Sequence, residues 1–415
     1  MNYRQPIHFL EGLTRFGIKL GLEPIRGLLF ELGNPQEKYP SIHIAGTNGK
    51  GSTASFIASI LSEAGYKVGL YTSPHLFEAT ERITLSGKPI SKRKFASLIA
   101  NLVPAIKKRT EETGIPLTYF EVLTAAAFQY FAQEEINFLV AETGMGGRLD
   151  ATNILKPLIC VLTPISLEHT TYLGNNLSAI AFEKCGIIKK GSIVVSSPQK
   201  RAVTRVIRKV CKEKTVPLYL VDKKNLDEDA SFKLRLSGEF QRENAALAIA
   251  VAKTLSSSVF PIKEKNIKEG LRKTKISGRF QILSQKPLII YDVGHNPDAV
   301  KVLCKSLKKF SPGKKYIFVY GSLKDKDSRK IIRIIAPLAK LLILTQSKSK
   351  RARPAKDLFR VAKEYLNEEK IKAITHPDQP LKFALKDEAP ICIFGSFYLA
   401  PYLKTWLSKR QRLFD

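Results

Sequence analysis

Cysteine is scarce and unpaired in pattern: Cys160, Cys185, Cys211, Cys304 and Cys392 make an odd count, and no two of them form a C-x-x-C. That spacing argues against a disulfide framework, offers no zinc site, and fits a chain kept reduced in the cytoplasm. Long apolar runs are missing as well; none approaches the roughly eighteen residues that a helical membrane span requires. The first residues, MNYRQPIHFLEGLTRFGIKL, place polar groups where a secretory signal would carry its apolar segment. Neither a membrane nor an export route is expected.

Acidic residues are the third shortage. Against 68 Lys and Arg stand 37 Asp and Glu, a formal net charge of +31. Such an excess suits a nucleic-acid surface, or a field that concentrates a small anionic substrate. The basic residues are scattered through stretches such as KKRTEE, VIRKVCKEK and KIIRIIAPLAK rather than gathered with aromatics. Scatter favours a general basic bias on solvated faces, so nucleic acid is not the expected partner. Hydrophobic residues at 44% and charged residues at 25% are ordinary for a folded globular chain. A length of 415 residues exceeds one ordinary core, and two domains, or three, are expected.

What the chain does contain is alternation. Short β-branched runs exchange with amphipathic helical stretches, the pattern of a mostly parallel α/β fold. SIHIAG reads as a buried strand and STASFIASILSEAG as a helix ending at Gly65. KVGLYT, INFLVAETG, LICVLTPI and SIVVSS are further strands. EVLTAAAFQYFAQEE, LSAIAFEKCG (stopped by Gly186) and GEFQRENAALAIAVAKTL are helices. Near residue 285 the pattern restarts, with PLIIYDVGHNP, KYIFVYGS, LLILTQ and ICIFGS as strands and AVKVLCKSLKKF as a helix. LSQKP is the expected boundary, giving domains 1–285 and 286–415.

Residues 46–52, GTNGKGS, stand between the first strand and its helix, the setting of a phosphate loop. They depart twice from the Walker pattern: Ile44 replaces its first glycine, and Gly51 follows Lys50, with Ser52 one place later. Glycines at 46, 49 and 51 let backbone N–H groups turn toward an anion. A lysine between two glycines at a helix N-terminus opposes the helix dipole unless an anion is present. Lys50 is therefore read as a phosphate contact.

HIAGTNGKGS, followed by YTSPHL and ERI, resembles the folylpolyglutamate synthase and dihydrofolate synthase branch of the Mur ligase superfamily, which uses the G-T-N-G-K-G-[ST] form of this loop. LTYFE, ETGMGGRLDATN, EHTTYLG, EKCGIIKKG, GRFQ, DVGHNP, GSLKDKD and GSFYLA fall in the family's order, so the resemblance runs nearly the whole length. It implies a Mur-ligase-like ATPase domain with a mostly parallel sheet, then a smaller Rossmann-like α/β domain. The implied chemistry is amide ligation: ATP phosphorylates an acceptor carboxylate, and the amino group of L-glutamate attacks the acyl phosphate. The acceptor would be dihydropteroate, the γ-carboxyl of a folate's terminal glutamate, or both. Small molecules are the implied partners, and a monomer the expected state.

The same resemblance assigns roles to residues. Thr47, Asn48, Gly49, Lys50, Gly51 and Ser52 would hold ATP, with Asn244 of FQREN, Arg279 of GRFQ and Asp292 of DVGHNP. Ser73, Glu142 and His169 match ligands of one Mg²⁺, and Lys184 matches a lysine that holds a second ion as a carbamate. Glu142 also ends FLVAE at the carboxyl edge of a parallel sheet, where ligands of open α/β folds collect. An imidazole is an unusual Mg²⁺ ligand, so the role of His169 comes from the resemblance. Thr118, Tyr119, Phe120 and Glu121 match a pteridine contact, and Leu149, Asp150 and Ala151 a second part of that site. His295 shares the loop of Asp292 and is expected near the phosphates. Lys50, His169, Lys184 and His295 form the implied catalytic set.

Three departures stand out. Glu168 precedes His169 where the family has Asp, Cys185 follows Lys184 where alanine is common, and Val293-Gly294 replaces a Gly-Ala pair. None removes a reacting group. A Mur-type ligase for a peptidoglycan precursor is the nearest rival, against which LTYFE and TSPHL stand. A basic nucleic-acid-binding protein would leave Lys50, Ser73, Glu142 and His169 without a purpose.

Overall fold

The computed structural model describes residues 4–14, 17, 19–222 and 238–403. Its strands are β1 Ser41–Ala45, β2 Val68–Tyr71, β3 Ile83–Leu85, β4 Lys88–Pro89, β5 Phe138–Glu142, β6 Ile159–Leu162, β7 Ile193–Ser196 and β8 Leu218–Leu220. They form one sheet in the order β4-β3-β2-β5-β1-β6-β7-β8. The β2–β3 and β3–β4 pairs are antiparallel and the remaining pairs parallel. Every residue of β1 and β5 is buried. A parallel sheet covered on both faces produces such near-continuous apolar runs instead of alternation.

Helices cover both faces. On one side Lys92–Thr113 and Tyr119–Gln133 bury Phe95, Leu98, Phe128 and Phe131. On the other, Arg201–Lys214 buries Val203, Ile207, Val210 and Cys211, the spacing of one helical stripe. The chain leaving β1 goes to β2 on one side of the sheet, and the chain leaving β6 goes to β7 on the other. That switch opens a crevice at the carboxyl ends of β1 and β6, where open α/β sheets take their ligands.

A second sheet contains β9 Gln281–Gln285, β10 Leu288–Asp292, β11 Tyr316–Gly321, β12 Ala339–Thr345, β13 Ile371–Ala373 and β14 Ile391–Phe394. Its order is β13-β12-β11-β14-β10-β9, with β9 antiparallel to β10 and the other pairs parallel. Phe318, Tyr320, Ile331, Ile332, Leu358 and Phe394 lie in its core.

The chain divides into two compact units, Met1–Arg235 with Arg242–Thr274, and Leu236–Gln241 with Lys275–Asp415. The division thus precedes LSQKP, which spans the turn between β9 and β10. Gln285 pairs with Leu288 and Gln281 with Tyr291, so ladder hydrogen bonds hold residues 281–285 to the second sheet. Among the described residues no helix is long and apolar enough to cross a membrane.

Candidate active site

The glycine loop rises from β1 into the crevice. Gly49 is the N-cap of the helix Lys50–Glu63 with φ 87, a left-handed conformation that side chains resist. A Cβ there would also stand 2.2 Å from Asn244 Oδ1. Thr47 and Asn48 donate their N–H groups to the Pro164 carbonyl at 3.0 and 3.2 Å. Thr47 Oγ1 donates to the Ser166 carbonyl and accepts the Ser166 N–H. The front of the loop is therefore fastened to the segment after β6 through its own N–H groups.

The helix start behaves differently. No side chain caps it, so the first-turn N–H groups of Lys50, Gly51 and Ser52 have no acceptor within the helix. The dipole adds positive potential at the same place. Ser52 Oγ is buried without a hydrogen-bond partner. Lys50 Nζ lies 3.8 Å from Glu142 Oε1 and 3.5 Å from the Thr47 carbonyl. Glu142, 4% exposed at the end of β5, accepts the Ser73 N–H at 3.1 Å. A Cβ on Gly51 would come within 3.2 Å of its Oε2, which is why glycine follows the lysine. Lys50, Gly51, Ser73 and Glu142 form one group.

Lys184 reaches the start of the same loop. It sits in the helix Leu177–Cys185, is 4% exposed, and donates through Nζ to the Gly46 carbonyl at 2.7 Å. Burial, reinforced by the charge of Lys50 and opposed by Glu168 and Asp150, lowers its pKa to about 7. His169 opens the short helix Thr170–Leu173 in the left-handed region at φ 52, half-buried on the segment that carries Ser166. Among the described residues no three His, Cys, Asp or Glu side chains gather as a metal cage. An orphaned buried hydroxyl, a buried carboxylate and uncapped N–H groups nevertheless fit a nucleotide with Mg²⁺, a hard cation that keeps waters and phosphate oxygens in its shell.

The expected acceptor residues divide in two. Thr118 and Glu121 are both buried and form a capping box for Tyr119–Gln133: the Glu121 carboxylate accepts the Thr118 N–H and hydroxyl, each at 2.7 Å. Their side chains hold the helix start. Tyr119 and Phe120 are only half-buried. Phe120 lies against Gly144, where a Cβ would stand 2.6 Å from its ring, so the TYFE segment meets the loop after Glu142. Asp150 is buried, which pushes its pKa up, and it accepts the Met145 N–H and the Thr152 N–H and hydroxyl. It shapes the turn that carries half-buried Leu149 and buried Ala151.

Two residues that no motif assignment covered stand beside this segment. Arg82 Nε donates to His75 Nδ1 at 2.9 Å, and its guanidinium carbon lies 5.4 Å from the Tyr119 ring centre. Burial and Arg82 together lower the His75 pKa to about 4. The stretches YTSPHL and ERI contain both, yet six residues separate them and only folding pairs them.

In the second unit, Asp292 ends β10 and accepts the N–H groups of Phe280 at 2.8 Å and Gly294 at 2.7 Å. Burial raises its pKa, opposed by nearby Arg279. Arg279 lies over the Phe397 ring at 5.5 Å, and His295 has its ring 6.2 Å from the same phenyl. His295 Nδ1 stands 3.0 Å from the Val293 carbonyl. Arg279, Asp292 and His295 are thus neighbours, at the carboxyl ends of β10 and β14.

A phosphate-loop α/β ligase is the class that this fold and these groups define. The Mur ligase middle domain matches residues 44–252, and the Mur ligase, glutamate ligase domain matches residues 278–397. The dihydrofolate synthase/folylpolyglutamate synthase of Bacillus subtilis (strain 168) is 35% identical over 379 residues, covering 86% of this chain and 88% of that protein. Mycobacterium tuberculosis folylpolyglutamate synthase complexed with ADP and AMPPCP has a TM-score of 0.91 and 27% identity, over 98% of this chain and 99% of that one. The bifunctional folylpolyglutamate synthase/dihydrofolate synthase from Yersinia pestis c092, complexed with AMPPNP and Mn ion, has a TM-score of 0.85 and 29% identity, over 98% of each chain. The chain belongs to the folylpolyglutamate and dihydrofolate synthase branch of the Mur ligases.

Proposed function

We propose that this chain joins L-glutamate by an amide bond to dihydropteroate, to the γ-carboxyl of a folate's terminal glutamate, or to both, at the expense of ATP. The observation that carries the reading is the grouping of an uncapped glycine-loop helix, Lys50, Glu142 and a buried Lys184 on one crevice edge. An acceptor carboxylate oxygen attacks the γ-phosphorus and ADP leaves; the neutral amino group of glutamate then attacks the acyl carbon, loses a proton to solvent, and expels phosphate. Lys50 and the N–H groups of Gly51 and Ser52 hold the phosphate oxygens and meet the charge that builds during transfer. Thr47, Asn48 and Gly49 shape the loop that presents them.

Ser73, Glu142 and His169 are the proposed ligands of one Mg²⁺. Lys184, with a pKa near 7, has a neutral fraction whose lone pair adds to CO₂ and loses a proton, giving a carbamate oxygen donor for a second. Bound Mg²⁺ screens the triphosphate from the anionic acceptor. Asn244, Arg279 and Asp292 are proposed ATP contacts, with His295 beside the phosphates. Tyr119 and Phe120 offer ring faces to the pterin, and Leu149, Asp150 and Ala151 line the same acceptor. A cytoplasmic monomer is the proposed state; five free, buried thiols fit a reducing compartment.

The test is ADP release from ATP, Mg²⁺ and L-glutamate with dihydropteroate, tetrahydrofolate or a UDP-linked muramyl peptide supplied singly, bicarbonate being present. Turnover with either pterin is expected. Turnover with the muramyl peptide alone, or with none of the three, would overturn the reading.

A further inference from the structure

Arg82 is oriented from two directions and given no anion. Its Nε–H donates in plane to His75 Nδ1 at 2.9 Å, and Tyr119 lies under its face at 5.4 Å. Because His75 Nδ1 accepts, the imidazole proton sits on Nε2. The adjacent carboxylate, Glu81, is occupied: it accepts the N–H groups of Leu76, Phe77 and Glu78 at 2.8 to 2.9 Å. That triple contact fixes the loop beside His75 and turns Glu81 away from pairing with Arg82. Among the described residues the Nη atoms of Arg82 meet no acceptor. A half-buried guanidinium held in one plane with its fork open matches the two oxygens of a carboxylate.

The neighbours decide which carboxylate. The proposed reaction centre is the Lys50–Glu142 group, whereas the hydrogen bond of Arg82 among the described residues runs to His75. Arg82 belongs instead with Tyr119, on the acceptor side. Dihydropteroate has one carboxylate, the reacting one. The terminal glutamate of a folate has two: the γ-carboxylate reacts and the α-carboxylate does not. We propose that Arg82 binds this non-reacting α-carboxylate, with His75 Nε2–H as a second donor, and so sets the preference for glutamate-bearing acceptors over pteroates. The inference rests on the proposed function, and it assigns the specificity of that site to a named side chain.

The test is equilibrium binding without ATP, followed by calorimetry, of three probes: tetrahydrofolate, its α-carboxamide, and tetrahydropteroate. Wild type is compared with Arg82→Met and Arg82→Lys, and melting temperature and AMPPNP binding report that each variant is folded. Arg82→Met should weaken tetrahydrofolate about tenfold or more, the scale of a lost hydrogen bond between charged groups. The carboxamide and tetrahydropteroate should change by less than about twofold, and Arg82→Lys, a charge without the fork, should fall between. Equal weakening of all three probes would overturn the assignment and make Arg82 a support of the loop or a reader of the ring. No weakening in either variant would overturn it outright. Failure of the wild type to bind any pterin would instead remove the proposed function itself, which separates the two claims.

Discussion

Two loops in this molecule begin alike and end differently. In the first unit the chain leaves β1 through Gly49 into the helix Lys50–Glu63; in the second it leaves β10 through Val293 and Gly294 into Pro297–Phe310. Each starting strand has a later strand inserted between itself and the next strand of the sequence, β5 beside β1 and β14 beside β10. The second loop satisfies itself. Asn296 accepts the Ala299 N–H at 2.8 Å, Pro297 occupies the first helical turn where no N–H is needed, and Asp292 accepts the N–H of Gly294. The first loop has no side-chain cap and places a lysine at the positive end of the dipole. One helix start is finished by its own sequence; the other is left for a ligand to finish. That difference, rather than the glycine count, is what supports the proposal that the first is the phosphate site.

Lys50 offers the sharpest break. Lys50→Ala should lower ADP formation by roughly 10²- to 10³-fold, the cost of removing one preorganised charge from a transferring phosphoryl group. Stability should fall, since buried Glu142 loses its cation, and the relief of a lysine opposing the helix dipole, about 0.3–1 kcal/mol, offsets only part of that. Rate and melting temperature measured on one preparation check both signs together; undiminished turnover would remove the phosphate assignment.

Next in size is Lys184, which has no counterpart in the second loop. Below pH 7 its amine is protonated and cannot add CO₂; as pH rises through about 7 the neutral fraction grows. Activity at limiting bicarbonate should therefore climb across that interval and respond to added bicarbonate, whereas saturating bicarbonate should flatten the climb. Lys184→Met should cost about 10- to 100-fold, the range for lost metal-site support. A pH–rate profile that ignores bicarbonate would leave Lys184 as a hydrogen-bond donor to Gly46 and nothing more.

Sequence alone carried the strands well, because buried parallel strands such as SIHIA and FLVAE are short, dense and bounded by turn residues. It carried the places of the glycine loop and of Glu142 for the same reason: both sit where a strand ends. It carried less where a contact joins distant segments. LSQKP looked like a linker because Gln, Lys and Pro are turn residues, yet the ladder from Gln281 to Gln285 is what assigns the segment. The helix Lys92–Thr113 went unread; it runs through Pro104 and its polar face outweighs its apolar stripe. TYFE was legible as a motif, but the motif did not say that Thr118 and Glu121 bind each other while Tyr119 meets Arg82 and Phe120 packs against Gly144. Arg82 and His75 were quoted within motifs without a role, since their pairing depends on Glu81 folding the loop between them.

Gly49→Ala attacks the first loop through its backbone. The left-handed φ of 87 costs a side chain about 1–2 kcal/mol, and the new Cβ must displace the amide of Asn244 from 2.2 Å. A melting temperature lower by several degrees is expected, with KM for ATP raised because Asn244 moves. A rise in KM without a fall in stability would locate the effect in ligand contact alone.

The smallest effect should come from the second loop, and it tests whether that loop is as self-sufficient as it looks. Asn296→Ala removes the side chain that accepts the Ala299 N–H and should cost about 1 kcal/mol, whereas Asn296→Asp keeps the acceptor, adds a favourable charge to the dipole and should cost little. Global melting reads this shift poorly in a chain of two units, so the local measurement is amide hydrogen exchange at Ala299. Exchange should quicken in Asn296→Ala and stay slow in Asn296→Asp. The corresponding N–H groups of Gly51 and Ser52, which no side chain of their own loop caps, should behave oppositely: slow to exchange only with nucleotide bound. If nucleotide slowed Ala299 and left Gly51 and Ser52 unchanged, the assignment of the two loops would have to be exchanged.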